Sequence, residues 1–368
     1  MEYRRPTMRS LLVTGGAGFI GANFVRYWLD EYPDDRLVVL DALTYAGNEA
    51  SLQGLDGRRS YAFVHGDIGD EGLVADLLAR YRVDTIVHFA AESHVDRSIS
   101  GPDEFVRTNI VGTHTLLKCA RRAWHAGGAW KDGVRFHHVS TDEVFGSLQT
   151  GEPAFTEQSQ YSPNSPYAAS KAASDHLVRA YHHTWGMPVT TSHCSNNYGP
   201  YQFPEKLIPL LLVQALRGGT LPVYGQGENV RDWLFVHDHC RALSAIIGRG
   251  RFGERYNIGG NDEWRNIDIA RHLCALLDER FGADPQLRAR YPQCPASQGD
   301  KVESLIHFVT DRPGHDWRYA LDTTKIRNEL GFRPRSTFAS GMATTVQWYL
   351  DNDSWWSSIL DGSYRARN

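Results

Sequence analysis

The sequence predicts an α/β fold, a doubly wound parallel sheet with a smaller, partly interleaved C-terminal domain. Three observations carry this expectation. Short, continuously apolar runs alternate with amphipathic stretches through the first half; a glycine-rich turn follows the first of those runs; and after about residue 195 the alternation loosens into Gly- and Pro-rich pieces.

The elements follow in order. "SLLVTG" (10–15) reads as a strand, Ala22 to Glu31 as a helix, and "RLVVLDA" (36–42) as a second strand. "YAFVHGD" (61–67) is a third strand, followed by a helix over Glu71–Arg80; "DTIVHFAA" (84–91) is a fourth, followed by a helix over Glu104–Ala123. The run at 134–140 is the fifth. Strands without polar alternation are buried on both faces, so helices must cover both sides of a parallel sheet. Pieces such as "NNYGPYQFPEK" and "TDRPGHDWRY" then suggest loops that close over a ligand. The expected division is 8–195 and 196–368, with about 230–258 returning to the first domain.

Composition removes several function classes. The 368 residues carry 39 basic and 43 acidic side chains, a net charge of −4, without the basic stripe of a nucleic-acid binder. No run of 18 apolar residues stands ready to span a bilayer. "MEYRRPTMRS" lacks the apolar core of a signal peptide, and five cysteines without a C-x-x-C pair fit a reducing cytoplasm better than a disulfide framework. His237 and His239 would share a strand face beside Cys240, but no further ligand stands at a familiar spacing, so no metal is expected.

Chemistry concentrates in three places. "TGGAGFIG" reads either as Gly16-x-Gly18-x-x-Gly21 or as Gly15-x-x-Gly18-x-x-Gly21, between a strand and a helix, where glycines let a pyrophosphate approach a helix N-terminus. Asp41 ends the next strand, 20 residues beyond Gly21, and a carboxylate there accepts from a ribose 2′-hydroxyl and repels a 2′-phosphate, favouring NAD over NADP. Asp67 in "GDI" could meet the adenine, and small Ala90 and Ala91 would let the cofactor lie against the backbone. "NSPYAASK" starts a helix with Ser165 as N-cap and Pro166 at the first position, so Tyr167 and Lys171 share a face. The ammonium would lower the phenol pKa towards neutrality. Finally, "HVSTDEVFG" sets Asp142 and Glu143 side by side after the fifth strand, where they cap no helix.

The stretches "VTGGAGFIGANFVRY", "FAAESHVDRSI", "STDEVFG", "SPYAASKAASDHLVRAY", "CSNNYGPYQFPEKLIPL", "GENVRDWLFVHDH" and "TDRPGHDWRYALD" run from residue 11 to about 332. Together they resemble the extended short-chain dehydrogenase/reductases and, within them, the dTDP-glucose 4,6-dehydratases. The resemblance implies a Rossmann-type NAD domain, a sugar-nucleotide domain, a homodimer built through two helices of each subunit, and a place in deoxysugar biosynthesis. It implies Thr141, Asp142, Glu143, Tyr167 and Lys171 as catalytic residues: Tyr167 for C4 oxidation, Thr141 on the C4 oxygen, Glu143 as the C5 base and Asp142 as the acid at the C6 hydroxyl. Cofactor contacts would come from Gly15, Gly18, Phe19, Ile20, Gly21, Asp41, Asp67, Ile68, Phe89, Ala90, Ala91, Ser93, Thr108, Tyr167, Lys171 and Asn197. Ser93, Asn196, Glu205, Lys206, Leu207, Pro222, Tyr224, Arg231, Asn266, Arg312 and His315 would join the catalytic set around the substrate, with Arg231 and Arg312 on its diphosphate. The family usually carries Tyr where Phe145 stands and Arg where His193 stands, and 284–308 departs from its pattern. An epimerase or decarboxylase would share the glycines and the Tyr–Lys pair but has no use for Asp142–Glu143. A non-catalytic NAD-dependent sensor would lack them too. A 4,6-dehydratase of another nucleotide sugar stays open.

Overall fold

A computed structural model describes residues 8–311 and 315–367. Its centre is a seven-stranded parallel sheet in the order Arg255–Ile258, Val189–Cys194, Arg135–Thr141, Thr85–His88, Ser10–Thr14, Arg36–Asp41, Tyr61–His65. The five strands read from the sequence lie within it. Val189–Cys194 and Arg255–Ile258 extend it past the region where the sequence pattern loosens. They are easily overlooked because "VTTSHC" and "RYNI" carry few aliphatic residues, yet every residue of the first is buried.

Helices cover both faces. On one, Phe19–Glu31 and Val236–Arg249 bury Phe24, Trp28, Leu243 and Ile247 against the sheet. On the other, Glu71–Arg80, Thr113–Trp124 and Pro166–Trp185 bury Leu77, Leu117 and Val178. A separate core gathers Leu207–Leu216, Asn266–Ala283, Phe338–Asp351 and Asp353–Leu360 around Leu212, Leu273, Phe281 and Val346.

Three local expectations change. His237 and His239 lie on the helix Val236–Arg249 rather than on a strand, because the strand Val230–Phe235 ends just before them; His239 turns inward to Asn197 Oδ1 at 2.9 Å. The long helix expected at Glu104–Ala123 is broken into Asp103–Phe105, a π-helical stretch Val106–Gly112, and Thr113–Trp124. The wider turn aims Asn109 at the Glu92 backbone and at Ser170 Oγ (2.8 Å), and a Cβ on Gly112 would press on the end of the Ile68 side chain at 2.6 Å. Asp142–Phe145 form one 3₁₀ turn, so the paired acids do open a helical turn, with the Thr141 hydroxyl accepting from the Glu143 amide at 3.3 Å. No helix among the described residues is long and apolar enough to cross a membrane.

Candidate active site

The chain leaves Ser10–Thr14 towards one edge of the sheet and returns at Thr85–His88 on its other side, and at that reversal the carboxyl ends of the strands open a crevice. A cavity of about 340 Å³ runs along it. Gly15, Gly18, Phe19, Ile20, Gly21, Asp41, Asp67, Ile68, Phe89, Ala90, Ala91, Ser93 and Thr108 line one part of it, and Thr141, Asp142, Glu143, Tyr167, Lys171, Asn196, Asn197, Glu205 and Lys206 the remainder.

The glycine turn is built by close approach. Gly15 has φ +71°, and a side chain there would meet the Ala90 backbone at 2.6 Å; a Cβ on Gly21 would run into the Gly15 carbonyl oxygen. Gly18, the residue before the helix, has more room, its nearest neighbour being 3.4 Å away. The Gly15-x-x-Gly18-x-x-Gly21 frame therefore matches the backbone. Asp41 accepts from the amides of Ala17 and Leu43 at 2.8 and 2.9 Å, and burial pushes its carboxyl up against those bonds. Its remaining lone pairs leave acceptor capacity towards the cavity.

Across the cavity, Ser165 caps Pro166–Trp185 by accepting from the Ala168 amide at 3.1 Å, a contact typically worth about 1 kcal/mol, and the helix then presents Tyr167 and Lys171. Lys171 Nζ donates to the Val139 carbonyl at 2.9 Å; burial pushes its pKa down to about 8, with Asp175 and Cys194 opposing. The expected lowering of the Tyr167 phenol is overturned within the protein itself. Burial and then the Glu143 carboxylate push it well above its ordinary value, while a hydrogen bond with Thr141 pulls the other way. The physical reason is that this ring is fully enclosed next to an acid, and desolvation exceeds the effect of a lysine one turn away.

The two acids differ in setting. Asp142 is buried, its Oδ1 accepts from the Thr141 hydroxyl at 3.3 Å, and its Oδ2 has no partner among the described residues. Burial, Glu143 and Asp232 push its carboxyl well above the usual range, against Arg231 and Thr141. Glu143 is only half-buried. One carboxyl kept protonated beside a more open one is the arrangement of a general acid next to a general base.

Other predicted contacts lie outside the cavity lining. Arg231 is buried, donates to the carbonyls of Val230, Trp317 and Asp316, and stands 4.5 Å from the centre of the Tyr319 ring. Of these partners, Asp316, Trp317 and Tyr319 stand 85 and more residues along the chain, which the motif does not reveal. Leu207 opens the helix Leu207–Leu216; Pro222 and Tyr224 belong to the strand Leu221–Tyr224; Asn266 starts the helix Asn266–Ala283. His315 lies near Tyr224 (ring centres 6.0 Å) and 2.7 Å from Asp311. Arg312 falls outside the described residues. Missed residues include Tyr45, whose ring packs edge-on against Phe203 and lies 3.9 Å beneath the Arg97 guanidinium, together with Arg107, Ser195 and Gln202. Tyr45 follows Asp41 by four residues, a signal within reach; the others are gathered only by folding.

The family model described as GDP-mannose 4,6 dehydratase matches residues 12–345. A dTDP-glucose 4,6-dehydratase of Xanthomonas campestris pv. campestris is 55% identical over 97% of this chain and 98% of its own. One from Escherichia coli is 50% identical over 96% and 97%. The chain belongs to the dTDP-glucose 4,6-dehydratase family. The crystal structure of the family member DesIV from Streptomyces venezuelae, with NAD and TYD bound, superposes with a TM-score of 0.83 at 50% identity, covering 95% of this chain and 99% of that one. These family relatives span the whole of the site described above, from Gly15 to Lys206.

Proposed function

We propose that this protein is an NAD-dependent hydro-lyase that converts dTDP-glucose to dTDP-4-keto-6-deoxyglucose. The observation that carries the reading is the meeting, in one cavity, of the glycine turn, the Tyr167–Lys171 helix and the Thr141–Asp142–Glu143 turn. Epimerisation needs only the first two. Dehydration needs an acid and a base on adjacent carbons, which adjacent side chains can serve.

The residues fit NAD: the turn leaves no room for Cβ atoms at Gly15 and Gly21, and Asp41 brings to the same cavity a carboxylate that would repel a second phosphate on the ribose. Held by the glycine turn and Asp41, NAD would supply the redox chemistry, accepting a hydride from C4 and giving it back at C6, and the positive charge it brings would favour the phenolate of Tyr167 against its burial and Glu143. Tyr167 accepts the C4 hydroxyl proton, and Thr141 holds that oxygen. The C4 ketone acidifies C5; Glu143 removes the C5 proton, Asp142 protonates the departing C6 oxygen, and water leaves. A proton finally returns to C5, so the sugar loses one water with no net oxidation.

Asn196, Arg231 and Arg312 are assigned to the diphosphate, Glu205, Lys206, Leu207, Pro222 and Tyr224 to the base side, and Asn266 and His315 to the substrate. In this reading 8–195 holds the cofactor and 196–368 the sugar nucleotide, with about 230–258 serving the first domain. The burial of Ile246, Ile247, Tyr256 and Ile258 in the sheet core supports that last assignment. The working form is a homodimer in the cytoplasm. The exposure of Ile99, Val106 and Val111 on neighbouring helical segments supports the pairing, and five buried, unpaired cysteines agree with a reducing compartment. Light scattering should give twice the chain mass; a monomer at micromolar concentration would remove the dimer.

The function is tested by incubating purified protein with dTDP-, UDP-, CDP- and GDP-glucose. The dTDP sugar should lose the mass of one water with no net NADH in solution. Turnover of another nucleotide in preference moves the base assignment; stoichiometric NADH release, or a demand for added NADP, overturns the mechanism.

A further inference from the structure

One turn after Lys171 on the same helix, Asp175 is buried in a polar cluster that the proposed chemistry does not use. Its Oδ2 accepts from Ser140 Oγ at 2.9 Å and from the Tyr161 hydroxyl at 2.8 Å, and lies 3.0 Å from His193 Nε2. His138 Nε2 faces its Oδ1 at 3.1 Å. Lys171 Nζ meanwhile donates to the carbonyl of Val139, the residue between His138 and Ser140. Lys171 and Asp175 thus grip three consecutive residues of the strand whose next positions are Thr141, Asp142 and Glu143. Tyr161 extends the grip to the far side of the acid turn, since the next residue, Ser162, donates its amide to the Val144 carbonyl at 3.0 Å.

We propose that Asp175 is a positioning residue that acts through Lys171: it fixes the helix to the strand end bearing the paired acids and sets a buried carboxylate one helical turn from the Lys171 side chain. This rests on the dehydratase reading given above. Residues i and i+4 of a helix are neighbours, and a lysine enclosed this completely loses its proton readily unless an anion stands close. The other groups facing the pair are accounted for. Cys194 comes from the adjoining strand, and His138 and, behind it, His88 come from the sheet with ring centres 5.3 Å apart. His193 and Tyr161 complete the shell, with Arg255 5.5 Å from the centre of the Tyr161 ring. Burial holds His138 (about 4) and His88 neutral at neutral pH, so neither ring supplies a competing full charge there. Burial also opposes the charge on Asp175, but His138 and His193 outweigh it and hold its carboxyl well below the ordinary range.

The sign is definite. Lys171 titrates at about 8 with Asp175 raising that value, so without the carboxylate it loses its proton at lower pH. In Asp175→Asn holoenzyme the alkaline fall of kcat on dTDP-glucose should move to lower pH by about one unit or more. Asp175→Glu should keep it at the parent position. The pH midpoint for labelling of Lys171 by acetic anhydride, read by mass spectrometry without any turnover, should move in the same direction. Equal loss of activity at every pH, with an unmoved labelling midpoint, overturns the proposal and leaves Asp175 a packing role. If Asp175→Asn does not fold, Asp175→Asn in a Lys171→Met background decides: recovery of a cooperative thermal transition supports the pairing of the two charges, and continued failure to fold overturns it. A parent protein that turns over no nucleotide sugar would instead sink the dehydratase reading, while the labelling result still stands or falls separately.

Discussion

Glu143→Gln should trap the enzyme after its first step. With Tyr167, Thr141 and Lys171 intact, C4 oxidation proceeds, but no base remains to take the C5 proton. The absorbance of reduced nicotinamide should rise on the protein and persist, while exchange of C5 hydrogen with deuterated water falls by about 10²–10⁴, the usual contribution of a positioned base. Asp142→Asn should behave differently. The base survives, so C5 exchange continues, while release of water slows by a comparable factor. The structure gives a reason for the difference: Asp142 is buried, pushed towards its protonated form and has one oxygen without a partner among the described residues, whereas Glu143 is more open. Tyr167→Phe is the control, because it should block the first oxidation and show no reduced nicotinamide. C5 exchange at the parent rate in Glu143→Gln, or identical behaviour of the two acid variants, would remove the assignment.

Gly21→Ala should damage the protein with or without NAD, and Gly18→Ala only with it. The new methyl at 21 has nowhere to go: the Gly15 carbonyl and the Gly16 Cα (2.8 Å) occupy its place, and both are backbone. Overpacking of this kind costs about 1–3 kcal/mol, and displacing the turn by that much weakens NAD on the order of 10- to 100-fold. At 18 the nearest atom is 3.4 Å away, so the protein alone accepts a methyl group there. That methyl would meet the approaching pyrophosphate instead. Thermal melts with and without NAD separate the two cases. Equal loss of melting temperature in the absence of NAD would show that the turn is not packed as described.

The local pieces of the site were legible because each lies within one element, where covalent geometry and helical period decide who meets whom. The glycine turn needs only its own eight residues, Tyr167 and Lys171 need only one helical turn, and Asp142 and Glu143 are adjacent in the chain. The five strands of the first half could be read for a similar reason, since burial on both faces writes continuous apolar runs into the sequence. That reading fails for Val189–Cys194, which is wholly buried yet rich in Thr, Ser, His and Cys, because its polar groups find partners such as His137 across the sheet. The helix at Val236–Arg249 was misread where a strand passes directly into it.

What the tertiary structure alone decided is mostly electrostatic. Arg231, expected on a diphosphate, is buried, and its protein partners are the carbonyls of 316 and 317 and the Tyr319 ring. The Tyr167 phenol, lowered on paper by Lys171, is raised by enclosure and by Glu143. Asp175, unremarkable in "KAASDHL", gathers His138, Ser140, Tyr161 and His193 from three separate segments. The sequence determined which chemical groups exist and how neighbours along one element are spaced. Their charge states depend on desolvation and on partners brought from distant parts of the chain, and those come into being only when the chain folds.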